Sequence, residues 1–216
     1  MIQGIIFDLD GVLVFTDKFH YQAWKRLADR LGIYFDEEIN KKLRGVSRRE
    51  SLEIILEGKK ETAYTEKEKT EFTEEKNRFY QELLKQLTPS EVDVSVKKTL
   101  QELKKRGYKL AVGSSSKNTG TILNRTELIK EFDAVSDGNN IKRSKPDPEV
   151  FVKAAEMLNL SCEECAVVED AEAGIEAAKR GGMMAVGIGP ASESPKADKA
   201  VNKIEQLTEI FGMIHN

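Results

Sequence analysis

The sequence predicts an α/β protein in which a doubly wound parallel sheet is interrupted by an inserted helical subdomain. Three observations carry this. Short apolar, β-rich runs recur at residues 2–7, 110–113, 132–135, 166–168 and 184–188, too short and too continuous for surface strands and suited to burial on both faces. Amphipathic stretches alternate with them at residues 94–106, 119–131, 148–160 and 171–180. Between the first run and the rest, residues 16–87 show helical patterning alone. Strand and helix in alternation give parallel strands joined by right-handed crossovers, a Rossmann-like core. Residues 1–15 and 88–216 are therefore expected to form the core, and residues 16–87 a helical cap.

Local signals fix several boundaries. Asp147-Pro148 supplies an N-cap and a first helical residue, and Gly181 ends the helix that starts at 171. In the cap, Phe15, Phe19, Ala23, Leu27 and Leu31 repeat every four residues. Ser47 with Glu50, and Thr65 with Glu68, each match a capping box, so three or four helices are expected. The Glu- and Lys-rich stretch 59–76 reads as a solvated helix face.

Composition narrows the function. The chain has 216 residues, 39% hydrophobic and 33% charged, enough for a core beneath a well-solvated surface. Its 34 Lys and Arg against 37 Asp and Glu give a net charge of -3, with no global basic field for nucleic acid or anionic lipid. Residues 4–7 are an apolar run cut short by Asp8, with no basic flank, unlike a signal peptide or a membrane span. The expectation is a cytoplasmic monomer with no nucleic-acid or membrane partner. Cys162 and Cys165 form a C-x-x-C, but His20 and His215 are the only histidines and lie far from them in sequence, so a four-ligand zinc site is not expected.

The chemistry concentrates at strand ends. Asp8-Leu9-Asp10-Gly11 follows the first run and puts two carboxylates, two residues apart, where α/β sheets place their active sites. One carboxylate can attack phosphorus while the other handles the proton of the departing or attacking hydroxyl. The next run leads into Ser114-Ser115-Ser116-Lys117-Asn118, whose amides and hydroxyls suit a phosphate. Lys145, held before Pro146, can neutralise charge on a transferring phosphoryl group. Glu169-Asp170 follows another buried run and offers hard oxygens for a divalent cation.

Each piece alone has an ordinary structural explanation, but acid, hydroxyl, lysine and acid at successive strand ends make a phosphoryl-transfer site. Together they resemble the four motifs of the haloacid dehalogenase superfamily, spread over nearly the whole chain. The resemblance implies Asp8 as phosphorylated nucleophile, Asp10 as general acid and base, and Ser114 and Lys145 orienting the phosphoryl oxygens. It also implies Mg²⁺ held by Asp8, Asp10 through its carbonyl, and Glu169 or Asp170.

The cap adds candidates for substrate contact. Thr16, His20 and Trp24 share one helical face, and Lys76 lies on the apolar stripe of Phe72, Phe79, Tyr80, Leu83 and Leu87. A lysine there either snorkels to the edge or points at an anion. Gly45-Val46-Ser47-Arg48 brings an arginine to a helix start, a second phosphate site, although Arg49 serves that role equally well on sequence grounds. With Ser116, Lys117 and Asn118, these residues resemble the phosphoglucomutase-type members of the superfamily. That implies interconversion of β-D-glucose 1-phosphate and glucose 6-phosphate through β-D-glucose 1,6-bisphosphate. Arg48, Ser116, Lys117 and Asn118 would then hold the distal phosphate. The alternatives are a sugar-phosphate or other small-molecule phosphatase using the same core residues, and a non-catalytic binding protein of the same fold.

Overall fold

The computed structural model describes residues 1–43 and 46–214. The chain divides into two compact units, Met1–Phe15 with Thr88–Asn216, and Thr16–Leu87.

The first unit is built on six parallel strands: β1 (Gly4–Phe7), β2 (Lys109–Gly113), β3 (Ala134–Ser136), β4 (Cys165–Glu169), β5 (Met184–Ile188) and β6 (Lys199–Val201). They lie in the order β3-β2-β1-β4-β5-β6. The chain winds outward from β1 in one direction and then, from β4, in the other, so the switch point lies between β1 and β4 at the carboxyl ends. Ile5, Ile6 and Phe7 are fully buried, as are Ala166, Val167 and Val168, which explains why these strands read as unbroken apolar runs. Ile6, Ala111, Val167 and Ala185 pack with Val150, Phe151, Ile175 and Ala178 in a core between sheet and helices.

The sixth strand was not expected. Lys199 and Ala200 are exposed and only Val201 is buried, so this edge strand carries no apolar run to betray it. The stretch expected as one helix over 119–131 is a helix over Thr119–Arg125 followed by a 3-10 turn over Leu128–Glu131, with Glu127 in a left-handed conformation breaking it. The helix expected from 148 runs over Glu149–Met157, and Asp147 Oδ1 accepts from the Glu149 amide in its first turn.

Among the described residues, the second unit holds four α-helices: α1 (Asp17–Leu31), α2 (Glu37–Lys41), α3 (Arg48–Leu56) and α4 (Glu66–Leu84). The remaining helices, all in the sheet unit, are α5 (Val94–Lys105), α6 (Thr119–Arg125), α7 (Glu149–Met157), α8 (Glu172–Arg180) and α9 (Leu207–Ile210). Both capping boxes form, at Ser47 with Glu50 and Thr65 with Glu68. Trp24, Leu27 and Ala28 of α1 pack with Ile33, Phe35, Leu52, Ile55 and Leu56. Phe15 does not join the α1 stripe, because the helix begins at Asp17 and Phe15 is 65% exposed in the sheet unit. On α4 the buried line is Lys76, Tyr80 and Leu84, spaced by four; Phe72, Phe79 and Leu83 are only half-buried beside it. The charged stretch does more than solvate a face. Arg49 and Lys69 meet Glu66 and Glu53 across α3 and α4, and Arg30 meets Glu75 across α1 and α4.

Candidate active site

Strand register gathers the core residues. Phe7 pairs with Val112 on one side and Val168 on the other, so Asp8, Gly113 and Glu169, each one residue on, come level at the carboxyl edge. The Asp8 amide still donates to the Val168 carbonyl at 3.0 Å. Gly11 then turns the chain with φ +89, and a Cβ there would stand 2.1 Å from Asp170 Oδ2, so any side chain would be both strained and obstructed. Asp10, one residue earlier, is half-buried.

Asp8, Glu169 and Asp170 each offer a carboxylate oxygen, all within 4.8 Å of one another. Lys145, with a side chain 7% exposed, reaches into this group and donates to Asp8 Oδ1 and Glu169 Oε1, each at 2.5 Å. Its Nζ also lies 4.7 Å from the Phe151 ring centroid. Burial alone would lower the Lys145 pKa, but the charges of Asp8 and Glu169 outweigh it and raise the pKa, keeping the ammonium. Burial pushes Glu169 up, with Lys145 opposing and Asp8 adding to the shift. Burial, then the charge of Asp8, pushes Asp170 up to about 7.

Among the described residues, three carboxylates here face one ammonium, an excess of negative charge. The donors are hard oxygens converging from two adjacent strand ends. That donor set fits Mg²⁺, with Asp8, Glu169 and Asp170 as side-chain candidates and the Asp10 carbonyl as a backbone candidate.

Two contributors escaped sequence reasoning. Phe151 supplies the ring beside Lys145. Gly174 of α8 faces Glu169, and a Cβ there would stand 1.9 Å from Glu169 Oε1, so only glycine leaves space for that carboxylate. The one available signal was a glycine inside an otherwise helical pattern.

The loop after β2 brings Ser114, Ser116, Lys117 and Asn118 together. Ser114 and Asn118 are buried, Ser116 is half-buried and Lys117 is exposed. Its amides are less available than the sequence implied. The Ser116 amide donates to Ser114 Oγ and the Asn118 amide to Ser116 Oγ, each at 3.2 Å, because short polar side chains in a turn bond their own backbone. What the two serines keep is their hydroxyl protons. Ser115 Oγ is buried and, among the described residues, has no hydrogen-bond partner.

In the helical unit, Thr16, Trp24 and Lys76 are buried and His20 is part-buried. Lys76 does not snorkel. It is 2% exposed, lies 2.9 Å from His20 Nδ1, and sits 4.8 and 4.7 Å from the Trp24 and Tyr80 ring centroids. Burial first, then the charges of Lys76 and Arg48, holds the His20 pKa well below its usual value. An ammonium can only donate, so Nδ1 accepts and the neutral ring carries its proton on Nε2. Tyr80, read from the sequence only as part of a stripe, joins the group: its ring is 4.1 Å from that of His20, and its hydroxyl donates to Thr16 Oγ1 at 3.1 Å.

The two arginines separate. Arg49 is engaged by Glu53 and by both Glu66 oxygens, whereas Arg48 is partly desolvated and its charge is felt at His20. Ser47 spends its amide and a hydroxyl lone pair in the capping box, and Val46 is 38% exposed. Gly45 lies outside the described residues.

Comparison with known proteins identifies the family. Over 208 residues the chain is 43% identical to a β-phosphoglucomutase of Bacillus subtilis, covering 96% of this chain and 92% of that one. It is 34% identical over 184 residues to a phosphorylated carbohydrates phosphatase of Thermotoga maritima, covering 84% and 82%. Among solved structures, a β-phosphoglucomutase of Clostridium difficile superposes with a TM-score of 0.88 at 38% identity, covering 96% of this chain and 94% of that one. With residues 2–182 matching the family model, the chain belongs to the haloacid dehalogenase-like hydrolase family.

Proposed function

We propose that this enzyme is a β-phosphoglucomutase, interconverting β-D-glucose 1-phosphate and glucose 6-phosphate through β-D-glucose 1,6-bisphosphate. The observation that carries this is the 43% identity over 96% of the chain with the Bacillus subtilis mutase. The cluster of Asp8, Lys145, Glu169 and Asp170 supports the chemistry.

In the proposed reaction an Asp8 carboxylate oxygen attacks phosphorus of the bisphosphate. A bond from Asp8 to phosphorus forms as the bond from phosphorus to the sugar oxygen breaks, and Asp10 gives that oxygen a proton. Transfer from C1 leaves glucose 6-phosphate, and the aspartyl-phosphate then passes its group to the free 6-hydroxyl of a β-glucose 1-phosphate, which restores the bisphosphate, with Asp10 taking that hydroxyl's proton and Lys145 and Ser114 holding the phosphoryl oxygens. Bound at Asp8, the Asp10 carbonyl, Glu169 and Asp170, Mg²⁺ supplies neutralising charge for the phosphoryl group. Thr16, His20, Trp24, Val46, Ser47, Arg48 and Lys76 serve the sugar and its distal phosphate, together with Ser116, Lys117 and Asn118.

A second reading is a sugar-phosphate phosphatase, in which water takes the group from Asp8. It is favoured by the 34% identity with the Thermotoga maritima phosphatase. One assay separates them: the protein with β-glucose 1-phosphate, Mg²⁺ and a trace of the bisphosphate, following glucose 6-phosphate against free phosphate. Glucose 6-phosphate in excess supports the mutase. Stoichiometric free phosphate replaces it with the phosphatase.

A further inference from the structure

The loop Ser114–Asn118 has no regular structure of its own, yet in the proposed reaction it must hold both the transferring and the distal phosphate. What keeps its shape lies in the segment that follows β3. The Ser114 amide donates to the carbonyl of Ser136, the last residue of β3, at 3.1 Å. Two residues on, the Gly138 amide donates to the Ser116 carbonyl at 3.1 Å. Asn139 Nδ2 then donates to the Lys117 carbonyl at 3.0 Å. Consecutive carbonyls of the loop are thus tied to consecutive residues of the turn.

The turn is itself braced. The Asn139 amide donates to Asp137 Oδ1 at 2.8 Å, Asn140 Oδ1 accepts from the Asp137 amide and the Ser136 hydroxyl, and Lys153 donates to the Asn140 carbonyl. Contact between turn and loop is also close enough to demand glycine. A Cβ on Gly138 would lie 2.4 Å from the Ser115 carbonyl oxygen and 3.0 Å from the Lys117 amide nitrogen, both backbone atoms that cannot swing aside.

We propose that residues 137–140 form a positioning element that sets the phosphate-holding conformation of Ser116, Lys117 and Asn118, with Gly138 and Asn139 as the residues that carry it. This rests on the reading that those three residues hold the distal phosphate. Gly138 and Asn139 touch no substrate in this scheme; they act through the carbonyls they tether. Asn139 bonds to the backbone of Lys117, so its role does not depend on which side chain stands there.

The test compares Asn139→Ala, Asn139→Gln and Gly138→Ala with the wild type, reading kcat and KM for β-glucose 1-phosphate, the rate at which acetyl phosphate labels Asp8, and Tm. Asn139→Ala loses the hydrogen bond to the Lys117 carbonyl, with a second one to Asp137 Oδ2 inside the turn, and KM for the sugar phosphate should rise about fivefold. Labelling by acetyl phosphate, which has no distal phosphate, should change less. Asn139→Gln keeps the donor and should recover part of the loss. Gly138→Ala should raise KM by more; should it fail to fold, the Asn139 pair decides. Equal losses on both substrates accompanied by a lower Tm would overturn the proposal in favour of a merely structural turn, and so would an unchanged KM in Asn139→Ala.

Failure of the underlying reading looks different. A wild-type protein that only hydrolyses β-glucose 1-phosphate removes the mutase, and the KM of that hydrolysis still reads the loop. A Ser116→Ala variant with wild-type KM removes the loop from phosphate binding, whatever Asn139 does.

Discussion

Replacing Asp8 by Asn separates chemistry from stability more cleanly than any other change in this protein. The amide keeps the shape of the side chain and removes its charge and its nucleophilic oxygen. In the absence of metal at pH 8.5, above the value near 7 to which Asp170 is pushed, the substitution removes repulsions between Asp8 and both Glu169 and Asp170. At separations up to 4.8 Å each is worth about 3.5 kcal/mol at an effective dielectric of about 20. It also removes the attraction to Lys145 at 2.5 Å, about 6.6 kcal/mol on the same scale. The two effects nearly cancel, so Tm should stay within about 4 °C of wild type. Lys145→Ala is the contrast: it deletes attractions to two carboxylates, leaves the repulsions intact, and should cost about 3–5 kcal/mol. Turnover of Asp8→Asn should fall by at least ~10⁴-fold. Thermal melts of the three proteins at pH 8.5, beside the glucose 6-phosphate assay, check both halves. Near-wild-type turnover of Asp8→Asn would sink the covalent mechanism, and a Tm loss matching that of Lys145→Ala would refute the charge balance.

Acid should weaken the fold through His20. A ring held neutral in the fold takes up its proton in the unfolded chain first, so stability is full above about pH 6.5 and falls below it, by up to about 1.4 kcal/mol per pH unit. In urea melts His20→Gln should show a shallower loss between pH 6.5 and 5, and an unchanged slope would remove His20 from this role. Arg48→Ala should weaken sugar-phosphate binding by roughly tenfold to a hundredfold, the worth of a charge-assisted contact, and acetyl phosphate use far less; equal loss on both would argue for a role in folding. Chelating Mg²⁺ should stop turnover and Ca²⁺ should restore it poorly, since its looser coordination misplaces the phosphoryl oxygens. Full activity in a chelator would contradict the site.

What the sequence made legible follows from where information is local. Asp8 and Glu169-Asp170 could be found because buried parallel strands write themselves as apolar runs and acids at their ends stand out, whereas Lys145, well beyond the end of β3, was singled out by its place before Pro146. The capping boxes of α3 and α4 were legible because three residues carry the whole interaction. β6 was not, since an edge strand buries one residue and needs no pattern. Gly174 and Gly138 were invisible for another reason. Each is set by an atom outside its own element, Glu169 Oε1 in one case and the Ser115 carbonyl in the other, and beyond a glycine inside a helical pattern at Gly174 nothing in the sequence announces such a contact. The choice between Arg48 and Arg49 was likewise undecidable until Glu53 and Glu66 were seen to occupy Arg49.

The charge around Asp8 and the charge within the helical unit are of opposite sign. Around Asp8 the protein gathers negative charge beyond what Lys145 compensates, which by itself repels a phosphate. A bound divalent cation would cancel that excess, so in the proposed reaction substrate binding at Asp8 depends on the metal. In the helical unit, Lys76 is buried against aromatic rings and a neutral histidine, and Arg48 is partly desolvated. Holding two cations away from water costs stability, and binding an anion gives the protein a reason to keep them there. The phosphatase reading draws on the core carboxylates alone and the mutase reading on both sets of residues, so Arg48→Ala, which leaves the carboxylates around Asp8 untouched, is the variant that separates the two readings.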